Sequence, residues 1–196
     1  MNSSPAHASP SSAWELLIAP YARLRRSGMA LLTAATLLLG LAASRFGIRF
    51  DGFLDLHRSS GGTPVPLSTA LADQFVALPL SALVAWLILR AFGASTPLVL
   101  LLLILGTLRL PLVLSAAVVL AGPDPAAVLA QQPLQPSPML LLVGLAAVLG
   151  FAWTVTLLVT GVRFATDLRG GRLAGAVLSV ILAAEILSKL ALVLLT

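Results

Sequence analysis

The sequence predicts an all-α membrane protein: a bundle of five transmembrane helices with a cytoplasmic N-terminus, an external C-terminus and a short amphipathic N-terminal segment. Three observations carry this expectation. Hydrophobic residues make up 59% of the 196 and mean hydropathy is +1.03, which leaves too few polar side chains to cover a soluble domain. Several apolar runs reach the roughly 20 residues that a helix needs to cross a bilayer. Basic residues gather between those runs, above all in residues 161–172, GVRFATDLRGGR, as expected of a loop whose arginines fix membrane orientation.

Residues 1–12 (MNSSPAHASPSS) are small, polar and proline-containing and are expected to form a disordered tail. Residues 13–27 read as an interfacial segment. Trp14, Leu17, Ile18 and Tyr21 fall at i, i+3, i+4 and i+7, one apolar helix face with Trp14 and Tyr21 as anchors. Glu15, Arg23, Arg25 and Arg26 lie largely off that face, which suits the membrane surface. Pro20 interrupts the helix, and a plain juxtamembrane linker is the alternative.

The five-span domain takes residues 28–196. Span one is 28–44; Arg25–Arg26 before it and Ala42–Ala43–Ser44 after it also suit a signal peptide, but 27 residues are too many for an n-region. Span two is 70–90, with Ser68 and Thr69 offering N-cap oxygens. Span three lies within 97–121 and holds Arg109 and Pro111. Span four is 139–161 and span five 173–195.

Charge parity decides whether 97–121 is one span or two short ones. Arg23, Arg25 and Arg26 place the first flank in the cytoplasm. With one span in 97–121, the connection 122–138, which has no lysine or arginine, falls outside, and Arg163, Arg169 and Arg172 fall inside. Two spans invert both assignments. The discordant feature is the long outer loop 45–67 with Arg45, Arg49 and Arg58, accompanied by Asp51 and Asp55.

Chemistry is sparse. There is no cysteine, hence no thiol nucleophile or thiolate metal ligand, and the net charge of +5 belongs to membrane-flanking loops rather than to a nucleic-acid surface. The histidines are His7 in the tail and His57 in the outer loop, neither with a partner at helical spacing. Asp51, Asp55 and His57 have unspecific metal spacing, and a solvated charged loop explains them; no metal or cofactor is expected. Gly170–Gly171–Arg172 lacks the spacing of a nucleotide-binding glycine loop. Its reading is a tight turn with topology-setting arginines, whose forks also suit lipid headgroup phosphates.

Charges inside the spans are costlier, on the order of 2.5–3.5 kcal/mol each at the bilayer centre, and need partners. Glu185 and Lys189 stand at i and i+4 in span five, the favourable order for a helical pair. Arg109 and Glu185 each lie 12 residues into their spans, counted from 97 and 173, a depth of about 18 Å. Equal depth and opposite sign predict an Arg109–Glu185 bridge, with Lys189 snorkelling or pairing with Asp73.

The last third of the chain resembles the Yip family of Ypt/Rab-interacting multispanning membrane proteins, in its prokaryotic branch. The residues that carry the resemblance are Trp153, Gly161–Val162–Arg163, and Leu168 through Arg172 with Ala174. Leu17–Ile18–Ala19–Pro20 and Leu110–Pro111–Leu112 extend it upstream. Gly170 stands where the family often has serine, and Arg109 where an aromatic or small residue is usual. The resemblance implies five spans, a cytoplasmic N-terminus and, in eukaryotic relatives, binding of lipidated small GTPases. Those relatives have a longer cytoplasmic N-terminal region than the 27 residues here, which argues against GTPase docking.

The functional expectation is a non-enzymatic scaffold of the Yip type that organises the bilayer or docks other membrane proteins, or copies of itself. The alternative is a small transporter or channel component that uses the intramembrane charges. Eleven of the twelve basic residues are arginine, a composition that points to a GC-rich bacterial source and so to the inner membrane.

Overall fold

Five helices are long and apolar enough to cross a membrane in the computed structural model, which describes residues 13–123, 128 and 137–195. They are span one, Arg26–Ser44; span two, Leu67–Ala91; span three, Leu98–Ala121; span four, Pro138–Ala165; and span five, Gly170–Leu194. At 19 to 28 residues they measure roughly 28–42 Å, against a hydrocarbon core of about 30 Å. The tail 1–12 and most of the connection 122–138 lie outside the described residues. The starts of spans one, two, four and five and the ends of spans two and four lie outside those expected, because a helix continues past the last apolar residue where its backbone still finds partners, whereas span three keeps within 97–121. Span two starts at Leu67 with Pro66 at its N-cap, so Ser68 and Thr69 lie inside the first turn and cap nothing.

Spans two and three are each broken once, and by the same device. Span two divides into Leu67–Phe75 and Ala77–Ala91, and span three into Leu98–Thr107 and Arg109–Ala121. Pro79 lies four residues after Phe75, and Pro111 four after Thr107. A proline has no N–H for the carbonyl one turn back, and its ring crowds that carbonyl, so the helix bends there.

The second half of span two packs on span five, the first half of span three on span one, and the second half of span three on span four. Leu89, Leu101, Leu105, Leu158 and Val180 are at most 1% exposed where spans two to five meet. Small residues make close approach possible, Ala82 and Ala85 on span two facing Ala176 and Ala184 on span five in one cluster. Outside, Leu178, Leu182, Ile186, Leu190 and Val193 form an exposed stripe at helical spacing on span five, the face such a helix turns to lipid.

Alternating spans divide the polar connections between two ends. At one, the arginine end, Thr96 Oγ1 donates to the Ala165 carbonyl at 2.7 Å and Arg172 Nη2 to the Phe92 carbonyl. At the other, the loop 45–66 folds over the bundle. Ile48–Arg49 and His57–Arg58 pair as a short antiparallel ribbon, and Ile48, Phe50, Phe53 and Val65 are at most 4% exposed. This corrects the expectation of a solvated charged loop: alternation of Ile48, Phe50 with Arg49, Asp51 turns the apolar set onto Leu112 and Ala116 of span three.

The N-terminal segment is a helix, Ala13–Ile18, followed by a single 3₁₀ turn, Pro20–Ala22. It lies against span four, where Trp153 Nε1 donates to the Leu17 carbonyl at 2.7 Å and Thr160 Oγ1 to the Ile18 carbonyl at 2.9 Å. The helix ends before Pro20, and span four satisfies two carbonyls of its last turn.

Candidate functional site

Among the described residues, Asp73, Arg109, Glu185 and Lys189 of the spans fall into two clusters, and an arginine-rich turn makes a third. The first stands at the break of span two. Arg49 clasps Asp73 with two parallel bonds, Nε to Oδ2 at 3.1 Å and Nη2 to Oδ1 at 2.9 Å. The Asp73 side chain is 2% exposed, and the bidentate fork answers both its oxygens. The Asp73 hydrogen bond, with its charge, raises the Arg49 pKa above the ordinary guanidinium value against partial desolvation. Arg109, 4% exposed, donates from Nη1 to Gln74 Oε1 and from Nη2 to the Asp73 carbonyl, the latter at 3.3 Å. Gly40 admits this arrangement: a Cβ there would stand 2.6 Å from Gln74 Nε2. Spans one, two and three and the loop 45–66 thus converge on Asp73, Gln74 and Arg109.

The second cluster ties span five to the loop. Glu185 Oε2 accepts the Leu54 backbone N–H at 2.9 Å, and Glu185 Oε1 lies 3.2 Å from Lys189 Nζ. Lys189 Nζ also donates to Asp55 Oδ2 at 2.6 Å. Asp51, Asp55 and His57 bring ligand atoms within 4.8 Å of one another, yet Lys189 holds Asp55 and His57 Nδ1 faces Asp51 Oδ1 at 3.2 Å. Asp55 is met by a cation of the chain itself, and Asp51 by a histidine that is a cation when protonated.

The expected Arg109–Glu185 bridge is corrected by these contacts, as is the pairing of Lys189 with Asp73. Equal depth does not set the direction in which a side chain points around its helix. The break before Arg109 turns it to span two, where Gln74 and the Asp73 carbonyl meet it. Glu185 instead reaches the 52–55 turn, so closely that a Cβ at Gly52 would stand 2.5 Å from its Oε1. The i, i+4 pair of Glu185 and Lys189 is present. Gln74 and the Arg49–Asp73 clasp are the residues that sequence reasoning missed. The arginines of the loop 45–66 were their signal: Arg49 is bonded to Asp73, and Arg58 Nη1 donates to the Gly122 carbonyl at 3.1 Å.

Loop attachment is expected to depend on pH. The Asp51 hydrogen bond, with its charge and that of Asp55, holds the His57 pKa above 6.5 in spite of partial burial and Arg49. Burial works to raise the Asp51 pKa, but His57, Arg49 and Lys189 together bring it below 3.8. A raised histidine contributes stability that is complete below pH 6.5 and is lost as pH rises through its folded value. The lowered aspartate contributes above 3.8 and is lost as pH falls through its own. Hydrogen exchange in residues 48–58, corrected for its intrinsic pH dependence, should therefore be slowest between these limits. The alkaline loss of protection should be absent from His57→Gln.

At the arginine end, Thr166 Oγ1 donates to the Val162 carbonyl at 2.8 Å, closing span four, and accepts the Leu168 N–H at 3.3 Å. Arg169 Nη1 donates to the Thr166 and Leu168 carbonyls at 3.3 and 2.7 Å. Gly170 has φ +55°, the left-handed geometry that glycine adopts without cost. Arg163 and Arg169 are exposed. Of the two expected interface anchors, Trp14 belongs to the first helix but its side chain lies outside the described residues. Tyr21 does not anchor an interface. It is 2% exposed, its ring stacked near Phe164 at 6.2 Å between centroids and its Oη 3.2 Å from Thr107 Oγ1. Gly161 leaves room for the ring: a Cβ there would stand 3.1 Å from Tyr21 Cε2.

No protein-family model matches the chain, and no curated protein and no solved structure matches it.

Proposed function

We propose that this multi-span helical membrane protein is a non-enzymatic scaffold of the Yip type, which organises the surrounding bilayer or docks other membrane proteins or copies of itself. Its N-terminus is assigned to the cytoplasm, and the membrane to a bacterial inner membrane. The observation that carries the reading is the fate of the intramembrane charges. Arg109, Asp73, Glu185 and Lys189 are each bonded to another part of the chain, so the groups that a transporter would offer to a substrate serve here as struts. Three cavities of about 340 to 420 Å³ are lined by other residues, and a smaller one of about 150 Å³ is lined by Lys189 with Arg49 and Asp51.

One observation favours the rival reading of a small transporter. Spans two and three are both discontinuous beside Arg109, and broken helices at mid-membrane are where transporters build their sites. Proton flux into proteoliposomes under a pH gradient separates the two. A scaffold gives flux at the level of protein-free liposomes. A flux above that level which disappears in Glu185→Gln or Arg109→Leu overturns the proposal.

A further inference from the structure

Two cavities follow one another along one face of span four, beside the N-terminal segment, as a groove with the bond from Thr160 Oγ1 to the Ile18 carbonyl at their junction. Its outer part is a cavity of about 340 Å³ at the arginine end, lined by Ala19, Tyr21, Thr160, Arg163, Phe164 and Arg169 among others. One turn deeper on the same face is a cavity of about 420 Å³, lined by Leu17, Ile18, Ala152, Trp153 and Thr156. The inner part offers few polar groups, because Trp153 Nε1 is already bonded to the Leu17 carbonyl and Thr156 Oγ1 donates to the Ala152 carbonyl of its own helix at 2.8 Å. Eleven residues separate Ala152 from Arg163, a length of about 16 Å. That is close to the hydrocarbon depth of one leaflet, half of about 30 Å.

The rim is cationic and uncommitted. Arg163 has no hydrogen bond or ion pair among the described residues, and Arg169 bonds through Nη1 alone, to two carbonyls of its own turn. The neighbouring carboxylates are engaged or turned elsewhere: Glu15 is paired with Arg23 at 2.7 Å, and Asp167 lines a different cavity beside Gly93 and Arg172. Two guanidinium forks lining one open, mostly apolar cavity, with an apolar trough beside it that extends about one leaflet deep, have the charge and shape of a phosphodiester head joined to a fatty acyl chain.

We infer that this groove binds one phospholipid with an anionic headgroup, its phosphate at Arg163 and Arg169 and one acyl chain along span four past Thr156 to Ala152. A zwitterionic headgroup would bring an ammonium to the same cationic rim and binds less well. The inference deepens the bilayer-organising reading by naming a lipid class, and it rests on that reading only in taking lipid as the partner. A positive flux assay would remove the scaffold and leave the lipid site standing.

The test uses the full chain in detergent, with Trp14→Phe and Trp86→Phe leaving Trp153 as the sole tryptophan. Phosphatidylglycerol or phosphatidylcholine carrying mid-chain bromines is titrated in, and quenching of Trp153 is followed. Half-quenching should need at least tenfold less of the brominated phosphatidylglycerol. Arg163→Gln with Arg169→Gln should abolish that preference, and inorganic phosphate at millimolar concentration should leave it intact. Ala152→Phe, at an exposed position, should weaken quenching by filling the trough while both arginines remain. Equal quenching by the two lipids, an unchanged preference in the arginine variant, displacement by free phosphate, or no effect of Ala152→Phe would each overturn the inference.

Discussion

Gln74→Leu should destabilise the protein by roughly 3 kcal/mol, the low end of the cost of depriving a buried charge of its partner. Arg109 is 4% exposed, and Gln74 Oε1 is the side-chain acceptor it reaches. Leucine removes that acceptor and adds nothing a guanidinium can use. The Asp73 carbonyl, at 3.3 Å from Nη2, remains and keeps the loss from being larger. Reversible unfolding in mixed micelles measures it, and a change under about 0.5 kcal/mol would mean that water or another group already serves Arg109.

Gly106→Ala should cost about 2 kcal/mol, within the range for overpacking a close contact. The added Cβ would lie 2.3 Å from Thr33 Cγ2, 2.4 Å from its Oγ1 and 2.8 Å from its Cβ. Rotating Thr33 moves the first two atoms and leaves the third. Rotation also gives up the bond from Thr33 Oγ1 to the Leu103 carbonyl, at 3.3 Å. Span one would have to move off span three, stretching the bond of 3.1 Å from Thr36 Oγ1 to the Gly106 carbonyl. Adding Thr33→Ala to Gly106→Ala should restore part of the loss by removing the two nearest atoms. No restoration would place the strain elsewhere.

Hydrophobic length made the five spans legible, since few other fates exist for such runs. Their ends were less so: Arg163 lies within span four and Gly170–Gly171 within span five, because polar residues at a helix end do not stop the helix. Pro111 was visible as an interruption of span three, whereas Pro79 acts alike in span two and was passed over inside a continuous apolar run. The first cluster was hidden for a geometric reason. Depth in a membrane follows from counting residues, but rotation about the helix axis depends on the kink, and here the kink directs Arg109 to Gln74 rather than Glu185. Tyr21 shows the same limit from another side. Its place in an amphipathic pattern was readable, but its burial depends on Thr107 and Phe164, more than 80 residues away. The loop plug was half-written in the alternation of IRFD (48–51), which charge density obscured.

The charges within the spans hold particular partners inside the chain. A pair of double-mutant cycles tests this most directly, one between Arg109→Leu and Gln74→Leu, the other between Arg109→Leu and Glu185→Leu. The first pair should lose less together than the sum of its single losses, by about 1 kcal/mol or more, while the second pair should add within about 0.5 kcal/mol. Additive losses for Arg109 with Gln74, together with coupling of Arg109 to Glu185, would contradict this partnering.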